Sequence, residues 1–268
     1  MCTSPDPQSP GIGAGAGTIT AAVRALVPSH PACAEALAIA KASLPASILY
    51  HSFRVYFYAQ AFLRIFQDSD TPRPPTPTPT PTSTSTSAPN GNGNSNGTNR
   101  DSSSGYTTRT PPHILFVACI LHDVGTGPDH DSIPERFEVV SADVATRVLR
   151  KHGIPEDAIR DAWLAISLHT SPGIAERLGG TVRALRLAVR ADFGSYPTPA
   201  PETLPGGAET MNMIRWKLPR LEIEKDLGGA VVRQAVMDPL KAPGASWPGD
   251  LLRAKRAEPE WEGVNKAF

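Results

Sequence analysis

The sequence predicts an all-α fold interrupted by one long low-complexity insertion. Three observations carry that class. Apolar residues recur at three- and four-residue spacing in successive segments, no stretch shows the alternation of a half-buried strand, and residues 68–112 hold scarcely an apolar side chain. At 268 residues the chain is long enough for one well-buried domain.

The elements follow in order. Residues 1–18 predict a disordered tail, and the apolar segment Ile19 to Phe66 is too short to be an independent domain of usual size. Pro45 opens a helix over Ala46–Phe66, on which Ile48, His51, Val55, Tyr58 and Phe62 keep helical spacing. Pro-Thr, Ser-Thr and Asn-Gly runs then fill 68–112, a composition that cannot bury enough surface to offset its ordering entropy. The run Ile114-Leu115-Phe116-Val117-Ala118-Cys119-Ile120-Leu121 predicts a buried helix over 113–124 stopped by Gly125. Val140, Val144 and Val148 place a helix over 135–152, ending at Gly153. Pro155-Glu156-Asp157 opens the next, to about Leu168, with its acidic residues where the dipole favours them. Gly179-Gly180 precedes a helix over 181–192 with Val182, Leu185, Val189 and Asp192 on one face. Beyond Phe193 the chain is rich in Pro and Gly until Ile214; one more amphipathic helix is expected over about 220–236. The tail from Asp238 carries Trp247 and Trp261 but little periodicity. The expected organisation is a single helical domain made of 19–67 and 113–240, with 68–112 inserted into it and 241–268 as a C-terminal extension. Closure entropy grows only with the logarithm of loop length, so such an insertion is cheap.

Bulk properties narrow the function. Lys+Arg and Asp+Glu balance at 26 each, and no basic stripe with interleaved aromatics exists, so nucleic acid is not an expected partner. Cys2, Cys33 and Cys119 are odd in number and widely spaced, which argues against a disulfide framework and a cysteine-rich zinc site. No apolar run approaches the roughly 18 residues of a membrane span, and residues 1–10 lack the basic start and apolar core of a secretory signal. A cytoplasmic protein with no membrane partner is expected, the nucleus being the alternative; a homo-oligomer is left open.

The chemistry concentrates at His122-Asp123, which closes the apolar run. Burying two adjacent ionisable groups costs free energy unless something compensates, and a divalent metal does so because imidazole and carboxylate are both ligands. His51, His169 and Asp192 sit near the ends or on the apolar faces of other predicted helices. The competing reading makes each histidine a hydrogen-bonded core residue, with Asp123 paired to Arg54 or Arg136. A mixed nitrogen and oxygen donor set suits Zn²⁺ first, then Fe²⁺ or Mn²⁺, and suits Ca²⁺ poorly.

The stretches His51-Ser52-x-Arg54-Val55-Tyr56 and Leu121-His122-Asp123-Val124-Gly125-Thr126, followed by Asp192, resemble the H…HD…D pattern of the HD-domain superfamily. With Arg136-Phe137-Glu138 they look most like its cyanamide hydratase-like branch. The resemblance implies an HD-type helical bundle with one metal held by His51, His122, Asp123 and Asp192, and a metal-dependent hydro-lyase or hydrolase acting on a small molecule. Hydration of cyanamide to urea is the named expectation. Metal-bound water has its pKa lowered to about 7, and its hydroxide would attack the nitrile carbon. His169 is the expected proton donor or substrate-orienting group, alongside Asp123. Thr126 and Thr170 are expected to touch substrate. Thr126 stands where many phosphohydrolase members carry lysine, which favours an uncharged substrate. Arg54, Arg136 and Glu138 are expected to orient the metal ligands. The alternatives are a phosphohydrolase acting on nucleotides or phosphate esters, with Arg54, Arg136 or Arg190 on the phosphate, and a helical scaffold without catalysis.

Overall fold

A computed structural model describes residues 19–70 and 110–260. These form ten α-helices joined by turns and short 3₁₀ segments, with no strand among the described residues. In chain order they are α1 (Ala21–Arg24), α2 (Pro31–Ser43), α3 (Ala46–Asp70), α4 (Pro112–Leu121), α5 (Phe137–Lys151), α6 (Glu156–Leu168), α7 (Gly180–Asp192), α8 (Gly207–Lys217), α9 (Ile223–Met237) and α10 (Trp247–Ala257).

Helix α4 explains the continuous apolar run. Ile114 to Leu121 are all buried, so the helix is apolar around its whole circumference. α2, α3, α5 and α6 enclose it. α3 also packs along α7, and one apolar cluster takes residues from both sides of the low-complexity tract, from Ile19 to Leu227. A second, smaller cluster joins Phe137 at the start of α5 to Val231 and Val232 of α9 and Leu251 of α10.

The differences from expectation are local. α3 continues past Phe66 to Asp70, and α4 closes at Leu121, leaving His122 as its C-cap and Val124–Thr126 as a 3₁₀ turn. Gly153 does end its helix pair, in the left-handed region at φ 71°. Four helices have no counterpart in the expected elements: α1 and α2 before Pro45, α8 inside the Pro- and Gly-rich stretch, and α10 inside the tail. Residues 1–18, most of the tract (71–109) and Trp261 lie outside the described residues.

Candidate metal centre

Three of the four expected ligands converge. His51 comes from the second turn of α3, His122 caps α4, and Asp123 follows it; all three are buried. His122 Nε2 lies 3.2 Å from His51 Nε2 and 3.1 Å from Asp123 Oδ2, and His51 Nε2 lies 3.6 Å from the same oxygen. His169, the C-cap of α6, brings its Nε2 to 3.5 Å from Asp123 Oδ1.

The other nitrogen of each ring assigns the tautomer. His51 Nδ1 is 2.7 Å from Asp192 Oδ2, His122 Nδ1 is 2.7 Å from the Cys119 carbonyl, and His169 Nδ1 is 2.6 Å from the Ile166 carbonyl. Carboxylate and carbonyl oxygens only accept, so each Nδ1 carries the proton and donates. Each Nε2 then presents a lone pair inward. Three lone pairs and a carboxylate face one another with no proton between them, and no hydrogen bond reaches either oxygen of Asp123. Such an arrangement is repulsive until a positive charge enters it. Ligands about 2.1 Å from a tetrahedral ion stand about 3.4 Å apart, which the separations of 3.1–3.6 Å bracket. The donor set therefore fits a divalent cation.

The titration of these groups has the same cause. Without a metal a proton can supply the missing positive charge: burial opposes charge on Asp123, yet His122 and His169, when protonated on their inward nitrogens, hold its carboxyl well below the ordinary range. Burial also opposes charge on His122, but the adjacent Asp123 outweighs it and raises the imidazole pKa. For His51 burial wins over the pull of Asp192, and the pKa is lowered.

Asp192 is placed differently from a fourth ligand. Its oxygens accept from Arg54 Nε at 2.6 Å and Arg54 Nη2 at 2.7 Å besides His51 Nδ1, and Arg220 lies close by. The carboxylate thus sits behind His51, on the side away from the cluster. Arg54, 2% exposed, also donates to the carbonyls of Leu218 and Pro219. The expected alternative pairing of Asp123 with Arg54 or Arg136 does not occur: Arg54 serves Asp192, and Arg136 serves Glu138.

The Arg136–Glu138 pair does not orient a metal-ligand ring as expected. Glu138 is fully buried and receives Arg136 at 2.9 and 2.5 Å and Thr170 Oγ1 at 2.7 Å. It touches neither His51 nor His122; it clasps the residue after His169. Thr126 departs from its expected role as well. It is 2% exposed, donates through Oγ1 to the Asp123 carbonyl at 2.7 Å, and lies outside the cleft lining. The turn it belongs to is tightly held. A Cβ on Gly125 would stand 2.3 Å from the Phe137 carbonyl oxygen, and Gln234 donates to the Gly125 carbonyl at 2.9 Å.

A cleft of about 820 Å³ opens over the cluster. His51, His122, Asp123, His169 and Thr170 all line it. Sequence reasoning missed several of its other parts. Phe193 packs against His51 with ring centroids 4.9 Å apart, and Arg186 donates to the His169 carbonyl at 2.9 Å. Gly244 to Trp247, Asp250 and Arg253 supply a wall from the tail. Helix-start signals were there to find it: Ser246 caps α10 by accepting from Gly249, with Pro in the first turn.

Comparison with known proteins agrees with this geometry. The family model described as HD domain matches residues 48–203, more than half of the chain and the whole span from His51 to Asp192. No curated protein matches the chain.

Proposed function

The chain belongs to the HD domain family, whose members are in general divalent-metal-dependent hydrolases, and we propose that it adds water to a small, uncharged nitrile-type molecule, cyanamide to urea being the named reaction. The carrying observation is how the arginines around the cluster are used. Arg136 is taken by Glu138, Arg186 by Glu176 and the His169 carbonyl, Arg190 by the Ser195 carbonyl, and Arg253 by Asp250 and the Gly244 carbonyl. Guanidinium groups already bonded to carboxylates and carbonyls are poor hosts for a phosphate dianion, which needs unspent donors in a fixed fork. The three stretches resembling the cyanamide hydratase-like branch support the same choice. Thr126 does not, since it faces away from the cleft.

His51, His122 and Asp123 would hold the metal, and Asp192 would serve it through His51 by keeping that ring's Nδ1 protonated and its Nε2 free. When bound, the metal supplies Lewis acidity toward water and substrate. His169 moves the proton. Its Nε2 lone pair faces the site, so it takes a proton from the attacking water as the oxygen bonds to the nitrile carbon, and returns it to the nitrile nitrogen. The product of that addition is an isourea, which becomes urea when a proton moves from oxygen to nitrogen. Glu138, through Thr170, keeps the His169 turn in place.

A second reading, hydrolysis of a phosphate ester or nucleotide, is favoured by one observation. The cleft is far larger than a molecule of three heavy atoms requires, and Arg177 stands exposed on its rim. Urea release from cyanamide, measured beside phosphate release from a nucleotide panel on metal-loaded protein, decides between them. Turnover of nucleotides alone would overturn the preferred reading. Less than about half an equivalent of transition metal in wild type, unchanged by Asp123→Ala, would overturn both.

A further inference from the structure

Part of the cleft lining comes from a stretch of the chain that the family match does not reach. The match ends at residue 203, whereas Gly244, Ala245, Ser246, Trp247, Asp250 and Arg253 all line the cleft. They belong to the turn before α10 and to its first two turns. This segment is firmly seated. Leu251 and Leu252 are buried, Leu251 in the cluster with Phe137 and α9, and Leu252 with Ala235 and Ala242. A Cβ on Gly249 would stand 2.2 Å from the Pro243 carbonyl oxygen, so the helix start lies hard against the preceding turn.

Trp247 connects this wall to the chemistry. Its ring meets Phe137 edge-on, centroids 6.0 Å apart at 67°, and Phe137 meets His169 in the same way at 5.8 Å and 74°. Phe137 and Glu138 are neighbours in the first turn of α5, so one turn of helix carries both the aromatic link to Trp247 and the carboxylate that clasps Thr170. Indole offers a large rigid apolar face at low conformational cost, and a partly buried tryptophan on the rim of a polar cleft limits what fits beside the reacting group. Asp250 and Arg253, bonded to each other, add a polar edge further along the same helix.

We propose that the start of α10 is the specificity wall of this enzyme, with Trp247 the residue that sets the size of substrate admitted beside His169. The proposal rests on the reading of the His51–His122–Asp123 cleft as the active site, and it adds a selecting element from outside the span that the family model matches. Fold and metal chemistry are common to the family; the wall lies beyond the matched span, and a different tail sequence would give the same centre a different substrate range.

Two measurements on full-length protein test it, with Trp247→Phe and Trp247→Ala. The first is the ratio of kcat/KM for a larger over a smaller substrate of one class: dimethylcyanamide over cyanamide, and a nucleoside monophosphate over methyl phosphate. Trp247→Ala is expected to raise the ratio for the active class about tenfold or more, with Trp247→Phe between it and wild type; an unchanged ratio overturns the proposal. The second needs no turnover. Co²⁺ titration is expected to quench the tryptophan fluorescence of wild type more than that of Trp247→Phe, because the indole stands beside the loaded centre. Equal fractional quenching with a full equivalent of Co²⁺ bound overturns the placement of the wall, while quenching that differs without turnover of any substrate leaves the wall standing and overturns the reaction.

Discussion

Replacing Arg54 with methionine tests the hydrogen-bonded support behind the metal centre. The guanidinium makes four hydrogen bonds, two to Asp192 and one each to the carbonyls of Leu218 and Pro219, and is 2% exposed. Methionine keeps much of the volume and removes every donor. Asp192 would remain with His51 and the partly exposed Arg220, a buried carboxylate that has lost its main counter-charge. Breaking a buried pair on one side costs about 3–5 kcal/mol. At about 2–4 °C per kcal/mol for a domain of this size, the melting temperature should fall by roughly 6–20 °C near pH 7. The pH dependence has a definite sign. Burial opposes the Asp192 charge, but Arg54 and His51 hold its carboxyl far below the ordinary carboxylate range. A depressed carboxylate contributes stability that is present above the unfolded pKa and is lost as pH falls through the folded one. The gap between wild type and Arg54→Met should therefore be full above about pH 4 and close on further acidification. Thermal melts across pH, with Asp192→Asn and the double variant completing a cycle, provide the measurement. A loss below about 1 kcal/mol at pH 7, or a gap that widens in acid, would refute the reasoning. Weakened orientation of His51 should also lower metal affinity by about 10–100-fold.

Asp123→Ala should leave the purified protein with less than half an equivalent of metal by elemental analysis, since it removes the only carboxylate in the cluster. His169→Ala should keep its metal and lose about 10²–10⁴-fold in kcat, the usual worth of a positioned proton-transfer group; unchanged turnover would remove it from the mechanism. Stripping metal held at 100 times its Kd should cost about 2.7 kcal/mol, read as a melting shift of roughly 5–11 °C on adding chelator. Replacing residues 72–108 with a short Gly-Ser linker should change stability by no more than about 1 kcal/mol and leave metal content as it was, because shortening a loop alters closure entropy only logarithmically.

The parts of the site that the sequence made legible are those where a local pattern and its burial coincide. His122-Asp123 stands out because eight buried apolar residues precede it, and α4 is buried on every side. His51 shares a helix face with Val55, Tyr58 and Phe62 at i, i+4, i+7 and i+11, so its inward direction follows from spacing alone. What spacing does not encode is which atom of a buried group faces which neighbour. Asp192 was placed on the apolar face of α7, and it is buried there, but its oxygens are turned to Arg54 and His51 Nδ1. Thr126 stands where many phosphohydrolase members of the family carry lysine, yet a 3₁₀ turn sends its hydroxyl back to the Asp123 carbonyl. Helices α8 and α10 were obscured by composition. Gly206 and Gly207, both at positive φ, open α8, and it buries only Thr210, Met211 and Ile214. α10 buries a Leu251-Leu252 pair on one side, too short a stripe for a periodicity argument.

How the helices are aimed accounts for the charge of the centre and underlies the tolerance expected of the tract. His122 and His169 are the C-caps of α4 and α6, and Asp192 is the last residue of α7. Three helix C-termini therefore meet at one place, each carrying about half a negative charge on its unpaired carbonyls. Asp123 adds a full one, while the charge of Asp192 is matched by Arg54. A field of that sign selects a cation before any ligand bond forms, and it would repel an anionic substrate from a centre without metal. His51 is the exception, supplied from near the start of α3, and that position bears on the tract. The tract leaves α3 at Asp70, nineteen residues or about 28 Å along the helix from His51, and the chain re-enters at Pro112, ten residues or about 15 Å from His122. Both ligands are set by helices packed into the shared core, so the spacing of His51 and His122 depends on α3 lying against α4 rather than on the chain that joins them. Substitutions at the α3–α4 contact, such as Phe53→Ala or Phe116→Ala, whose rings meet at 6.1 Å, should therefore disturb metal binding more than any change of tract length.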